Sequence, residues 1–182
     1  MSVSQSGGYH FTIEGVKELD RLFAQFEKVS ARKGIRRAVR DAHRVVFDSV
    51  KRHIQGLSSR VEERMGPGLR ERMGKAVKLR ARRRNPAGTY AMDVLFAEPE
   101  AAGLVHYPRG ASSSLATKKT TGHRTFIPAA LEFGHKDRSG KPVAAKPFMG
   151  PAVDASRRQT EAELSRTLAR ELDRLVAEHR RR

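Results

Sequence analysis

Three polar side chains, His123, His135 and Asp137, are by residue type the best suited in this chain to bind a metal ion or support hydrolysis. Their spacing fits neither chemistry, because a zinc-binding helix needs His-x-x-x-His with an adjacent glutamate and a serine nucleophile needs Gly-x-Ser-x-Gly. The chain contains neither pattern and no cysteine, which excludes thiolate ligands and disulfides. We therefore expect solvated loop histidines, and predict no catalytic residue, no metal site and no cofactor.

The stretch Gly66-Pro67-Gly68 comes nearest to a phosphate-binding loop. It lacks the Lys-Ser/Thr pair that follows a P-loop, and it lacks the G-x-G-x-x-G order of a dinucleotide site. Nucleotide binding is therefore not expected.

Cationic side chains are the more informative group. The 182 residues carry 37 Lys and Arg against 20 Asp and Glu, and residues 32–84 hold 18 of the basic and five of the acidic side chains. Such a block attracts DNA phosphates or an acidic protein, although it is equally compatible with a solvated basic face. Few aromatics lie among these cations, so any DNA contact is expected to be with phosphates, without sequence readout. The candidate contacts lie together in the sequence: Lys78, Arg80, Arg82, Arg83 and Arg84.

Composition indicates a modest core with extended polar segments. Hydrophobic residues make up 38% and charged residues 31% of the chain, and its mean hydropathy is -0.61. The length suits a single domain, which we place at 11–182 after a flexible Ser/Gly-rich arm at 1–10. No run approaches the eighteen apolar residues of a membrane span and the first ten residues do not resemble a signal peptide, so we expect a soluble compartment and no membrane partner.

Apolar periodicity predicts three helices. A short strand at 10–13 is followed by a helix over about 16–26, and the clearest helical pattern runs over 31–55. A last helix opens near Pro151, which suits a first-turn position, and continues to about His179. The apolar stripe predicted for this helix comprises Val153, Leu164, Leu168, Leu172, Leu175 and Val176.

Period-two alternation over 76–97 predicts a β-hairpin with a basic first strand, turning at 85–88, and a further short strand is predicted at 104–107. Polar loops are predicted at 57–74, with at most one helical turn, and at 109–125 and 134–146. Together these elements predict an α+β fold. It comprises a small antiparallel sheet of three to five strands with a basic β-hairpin, packed by the long helix and the C-terminal helix.

Two short stretches carry a resemblance to a known family. Leu131-Glu132-Phe133-Gly134 is followed, after a polar loop, by Lys146-Pro147-Phe148-Met149-Gly150-Pro151-Ala152. This order resembles the tail-completion, neck or head-tail joining proteins of long-tailed bacteriophages, including minor tail protein Z-like members. The motif residues are Glu132, Phe133, Gly134, Pro147, Phe148, Pro151 and Ala152.

The motif also makes physical sense. We expect Gly134 to adopt positive φ, Phe133 and Phe148 to anchor the loop ends in the core, and Pro147 and Pro151 to fix the start of the helix. Glu132 is expected to pair with an arginine of the long helix or of a neighbouring subunit, or else to face solvent.

The resemblance implies a virion structural protein assembled in the host cytoplasm. By this resemblance the chain would form homo-oligomeric rings, hexameric by analogy, at the head-tail junction. Its partners would be the tail terminator, the tail tube and the head-closure or connector proteins. On this basis the loops would order on assembly, and DNA in the channel could be contacted without specificity. The main alternative is a free nucleic-acid-binding protein that contacts phosphates. A third possibility is a hydrolase, which would require a catalytic site that the sequence does not show.

Overall fold

The structure is a computed structural model that describes residues 9–12, 28–82, 90–106, 125–136 and 140–181. The chain divides into two units. The first draws its described residues from Met1–Ser49, Leu79–Leu95 and Ala152–Arg182, and the second draws its own from Val50–Lys78 and Phe96–Pro151.

Within the described ranges, runs of helices and runs of strands follow one another, as expected of an α+β fold. The helices are α1 Lys28–Gln55, α2 Ser59–Met65, α3 Leu69–Ala76, α4 Ile127–Phe133 and α5 Met149–Arg180. The strands are β1 Tyr9–Thr12, β2 Val77–Ala81, β3 Ala91–Phe96, β4 Val105–His106, β5 Thr125–Phe126, β6 His135–Lys136 and β7 Pro142–Val143.

The core of the first unit joins both long helices to the sheet. Ile35 and Val39 of α1, Met92 of β3 and Leu175 of α5 form one buried cluster, against which Leu79, Tyr90 and Leu164 pack. These contacts confirm the predicted α+β architecture, in which two long helices pack on a small sheet. The long helix predicted over 31–55 is also confirmed, although it begins three residues earlier, at Lys28.

The largest sheet has three strands in the order β1-β3-β2. β1 pairs antiparallel with β3, Tyr9 lying opposite Val94 and Thr12 opposite Ala91. The backbone N–H of Arg82 donates to the carbonyl of Ala91 at 3.1 Å and that of Ala97 to Ala76 at 2.8 Å, so β2 and β3 also run antiparallel. The predicted hairpin is confirmed. The turn at 85–88 and the predicted helix at 16–26 lie outside the described residues.

Helix α5 confirms the predicted C-terminal helix, but not all of its predicted apolar stripe. Leu172 is 37% exposed, whereas Thr167 and Glu171 are buried. The reason is close approach at Gly34, where a Cβ would lie only 3.2 Å from Oε2 of Glu171. Glu171 forms ion pairs there with Arg174, whose Nε lies 3.1 Å from Oε2, and with Arg37, whose Nη1 lies 3.5 Å from Oε1.

In the second unit the prediction of a loop at 57–74 is wrong, because this segment folds into α2 and α3. The Gly66-Pro67-Gly68 stretch is only the turn between them, with φ of 104° at Gly66 and 69° at Gly68. Leu69, Met73 and Ala76 place a buried stripe on α3. Packing of that stripe stabilises a helix too short to be stable by propensity alone.

An ion pair joins these two short helices. Nη2 of Arg70 donates to Oε2 of Glu62 at 2.6 Å, and the Arg70 backbone N–H donates to Oε1 at 3.2 Å. These two hydrogen bonds, that of the guanidinium first, hold the pKa of Glu62 below its usual value.

A depressed pKa stabilises the fold above the unfolded-state pKa, and this stabilisation is lost as pH falls through the folded-state pKa. We therefore expect the Glu62 carboxyl carbon to titrate in NMR spectra below the value for an unfolded glutamate. In an Arg70→Gln variant its pKa should rise and the acid-side loss of stability should shrink. An unchanged Glu62 titration in that variant would show that Arg70 is not the cause.

The remaining strands form two small antiparallel pairs, β4 with β5 and β6 with β7. β4 confirms the strand predicted within 104–107. The loop predicted at 134–146 is wrong in part, because β6 and β7 lie within it, with His135 opposite Val143. Apart from Thr125, the loop predicted at 109–125 lies outside the described residues.

Candidate functional site

The buried carboxylate of Glu132 joins the two halves of the family-like motif. Its Oε2 accepts hydrogen bonds from the backbone N–H groups of Phe148 at 2.8 Å and Met149 at 2.9 Å, and its Oε1 accepts one from Gly150 at 2.9 Å. Only 7% of the residue is exposed. We call this arrangement the Glu132 cap.

The Glu132 cap satisfies the amino end of α5. The first N–H groups of a helix have no acceptor within the helix, and the first turn of α5 contains no acidic residue of its own. A remote carboxylate supplies both the acceptors and the negative charge that the helix dipole favours. Pro151 confirms its predicted place in the first turn and has no N–H to satisfy.

The alternative in which Glu132 faces solvent is wrong, because the cap buries this side chain. The position of a charged residue between Leu131 and Phe133 did not indicate this, since the N–H donors that it serves lie sixteen or more residues away. Pairing of Glu132 with an arginine stays a prediction.

Gly134 confirms the predicted positive φ, with φ 75° and ψ 173°. This region of the backbone map is accessible essentially to glycine alone. A Cβ at this position would lie 2.7 Å from the carbonyl oxygen of Val143 and 3.1 Å from the backbone nitrogen of Ala145. Glycine is therefore required both by the turn after α4 and by the chain that packs over it.

Phe148 confirms its predicted role as a core anchor. It is 1% exposed, and its ring meets Phe96 edge-on with centroids 6.1 Å apart. Phe126 contacts the same Phe96 ring at 6.0 Å.

In the first unit Ala152 is fully buried, and its carbonyl accepts a hydrogen bond from the hydroxyl of Ser49 at 2.9 Å.

The predicted core position of Phe133 is wrong. This ring is 56% exposed, although the two preceding residues, Leu131 and Glu132, are buried. Successive helical residues point about 100° apart, so the last residue of α4 is turned outward once its neighbours point inward. The motif thus holds an aromatic ring in solvent next to a firmly hydrogen-bonded residue.

The strand cations lie where alternation predicts. Lys78, Arg80 and Arg82 are exposed, whereas Val77 is buried and Leu79 packs against the core cluster. Arg83 and Arg84 lie outside the described residues. Because Lys78 belongs to the second unit and Arg80 and Arg82 to the first, we draw no single surface from them.

The structure describes one of the three histidine and aspartate candidates, His135, which is half-buried and so is not the solvated loop side chain that was expected. His135 lies in β6, and His123 and Asp137 lie outside the described residues. In the ranges that the structure covers, no group of three or more His, Cys, Asp or Glu side chains is placed to hold a metal ion.

Comparison with family models, curated proteins and solved structures finds no match for this chain. Among the helices in the described ranges, none has the length and apolar character needed to cross a membrane.

Proposed function

We propose that this chain is a structural subunit of a tailed-bacteriophage virion, a tail-completion or neck protein that helps to join head and tail. The sequence resemblance over residues 131–152 suggests this role. The geometry supports it, because Glu132, Gly134 and Phe148 of the motif form one local structure, the capped start of α5. We propose no catalytic activity and no cofactor.

The observation that carries an assembly role is the exposed ring of Phe133. An aromatic side chain contributes a large apolar area at low cost in conformational entropy, and such side chains are enriched at the centres of protein interfaces. Here the ring follows directly after the Glu132 cap and precedes a glycine-only turn, so its position is fixed by both neighbours. A fixed, exposed ring suits contact with another subunit better than it suits a solitary domain.

The subunits are proposed to form a closed homo-oligomeric ring, hexameric by analogy with the family. The partners are then the tail terminator, the tail tube and the head-closure or connector proteins. The protein would be assembled in the host cytoplasm and retained in the virion at the head-tail junction.

We expect Phe133→Asp to abolish ring formation and to reduce the yield of joined particles at least tenfold. A buried interface aromatic typically contributes about 2 kcal/mol or more, and the aspartate adds a desolvation cost. Purified subunits would be sized by light scattering, and heads and tails made without the protein would be mixed with each variant and counted by electron microscopy. The Tm of the isolated subunit should be nearly unchanged, since the Phe133 side chain is exposed there.

Two controls accompany this experiment. Phe133→Leu keeps an apolar contact and should retain most joining. Leu172→Asp alters the other large exposed apolar side chain in the described ranges and should join normally. Full joining by Phe133→Asp, or equal losses for Phe133→Asp and Leu172→Asp, would contradict the proposed contact.

The alternative, a free basic protein that contacts DNA phosphates without sequence readout, is favoured by the excess of cations over residues 32–84. It differs in its assembly state. A neck subunit should form rings and be required for joining, whereas a free DNA-binding protein should remain monomeric and be dispensable for joining.

A further inference from the structure

The two long helices carry their charges in different ways. Helix α5 contains six Arg and six Asp or Glu, and many of them pair along the helix, as Arg157 does with Glu161 and Arg174 with Glu178. Helix α1 contains nine Lys or Arg and only two Asp. One helix therefore neutralises its own surface, and the other carries a large positive excess.

Part of this excess is arranged in a line. Four arginines of α1 recur every fourth residue, all are exposed, and none takes part in an ion pair within the described ranges. We call them the arginine row: Arg32, Arg36, Arg40 and Arg44. Four residues of α-helix rise about 6 Å, so the row extends over about 18 Å.

This arrangement is unfavourable for the isolated helix. Like charges four residues apart repel each other, and mixed charges of the kind seen on α5 would give the same solubility without that cost. Arg36 is also held in place, because its guanidinium carbon lies 5.8 Å from the centroid of the Tyr90 ring, a cation–π contact. The row is thus an extended line of unneutralised cations on a rigid element.

From this we infer that the arginine row binds the phosphate backbone of duplex DNA without reading its sequence. Over about 18 Å of its axis, one DNA strand presents about five phosphates, which is enough for every arginine in the row. The inference goes beyond the neck assignment and does not depend on it, because the contact belongs to the single subunit.

An acidic protein suits this surface less well. Protein interfaces usually contain apolar or aromatic side chains at their centre, and the large exposed apolar side chains of the described ranges are Phe133 and Leu172, neither of them on α1. A stacking platform for single strands would need several aromatic rings among the cations, and in the part of the chain that the structure describes Arg36 contacts the single ring of Tyr90. Contacts to DNA phosphates, by contrast, can be made by cationic side chains alone.

The test compares Arg40→Gln/Arg44→Gln with wild type and with Arg158→Gln/Arg180→Gln. Each double variant removes two positive charges from exposed positions that lack an ion pair in the described ranges, but only the first lies in the row. Fluorescence anisotropy would measure binding to a 20-base-pair duplex of arbitrary sequence and to poly-glutamate of similar charge at several NaCl concentrations. Light scattering would record the assembly state separately, so a failure of the ring proposal would be seen independently.

The row variant should bind duplex about 30-fold more weakly at 0.15 M salt, and its plot of log affinity against log salt should be shallower by about 1.8, since each lost phosphate contact removes about 0.9 from the slope. The α5 variant should stay close to wild type. Equal losses for both double variants would assign binding to net charge, and equal affinity of wild type for poly-glutamate would assign the row to an acidic protein. Either result, or no loss in the row variant, would overturn the inference.

Discussion

Glu132→Ala should lower the free energy of unfolding by about 3 kcal/mol, because three backbone N–H groups lose a charged acceptor at once. Two of these groups belong to Phe148 and Met149, which are buried, so water cannot readily replace the carboxylate. Urea unfolding would measure the loss. Hydrogen exchange should accelerate most at the amides of Phe148, Met149 and Gly150, which would localise the effect to the start of α5.

Two further variants separate the cap from the mere presence of a glutamate. Glu132→Gln keeps one acceptor oxygen and the side-chain shape but loses the charge, so it should recover about half of the lost stability. Glu63→Ala removes an exposed glutamate from α2 and should change stability by less than about 0.5 kcal/mol. If Glu132→Ala proved as mild as Glu63→Ala, the cap would not stabilise the fold.

Gly134→Ala should destabilise the protein by a similar amount, about 3 kcal/mol. Part of the cost is backbone strain, since φ 75° and ψ 173° lie in a region of backbone dihedral angles that residues with a Cβ atom avoid. The rest is steric, because the new Cβ would lie 2.7 Å from the Val143 carbonyl oxygen, an atom of the backbone that cannot rotate away. Thermal unfolding should show a corresponding fall in Tm of about 6 to 12 °C.

Gly140→Ala is the matched control for this substitution. Gly140 also has positive φ, 82°, but a Cβ there would meet no atom within 4 Å. It should therefore incur only the conformational strain, about 1 kcal/mol. Equal destabilisation by the two substitutions would mean that the close approach of the 143–145 backbone to Gly134 contributes nothing.

The long elements could be predicted from the sequence because their patterns repeat many times. α1 shows its apolar period over more than twenty residues, and the hairpin strands alternate clearly between Val77 and Phe96. Errors in α5 were local. Leu172 continues the apolar pattern but is partly exposed, since Glu171 occupies the inward position beside Gly34. Such a polar contact depends on which residue of another helix lies opposite, and periodicity contains no information about that.

Short elements were harder for a different reason. α2 and α3 have seven and eight residues, too few for a periodic signal, and the Gly-Pro-Gly turn between them indicates a loop. α4 is equally short and contains Pro128 near its start, so its pattern did not identify it as a helix. Without α4 the directions of its last residues could not be assigned.

Because α4 was not predicted from the sequence, the side-chain directions at the candidate site were also assigned wrongly. The positive φ of Gly134 and the burial of Phe148 follow from residue type and were predicted. Phe133 was expected in the core and one alternative left Glu132 in solvent, because aromatic rings are usually buried and single carboxylates usually solvated. On α4 the two tendencies are reversed, since the buried N–H groups at the start of α5 attract the carboxylate inward and the ring is turned outward.

The most direct test of the central claim is electron cryomicroscopy of the virion whose genome encodes this chain. The proposal predicts a closed ring of density at the head-tail junction that accommodates the described fold, with Phe133 at the contact between subunits. It also predicts that particles made without the protein lack this ring and accumulate as separate heads and tails. Junction density fully explained by other chains, in particles that join normally without this one, would contradict the proposed function.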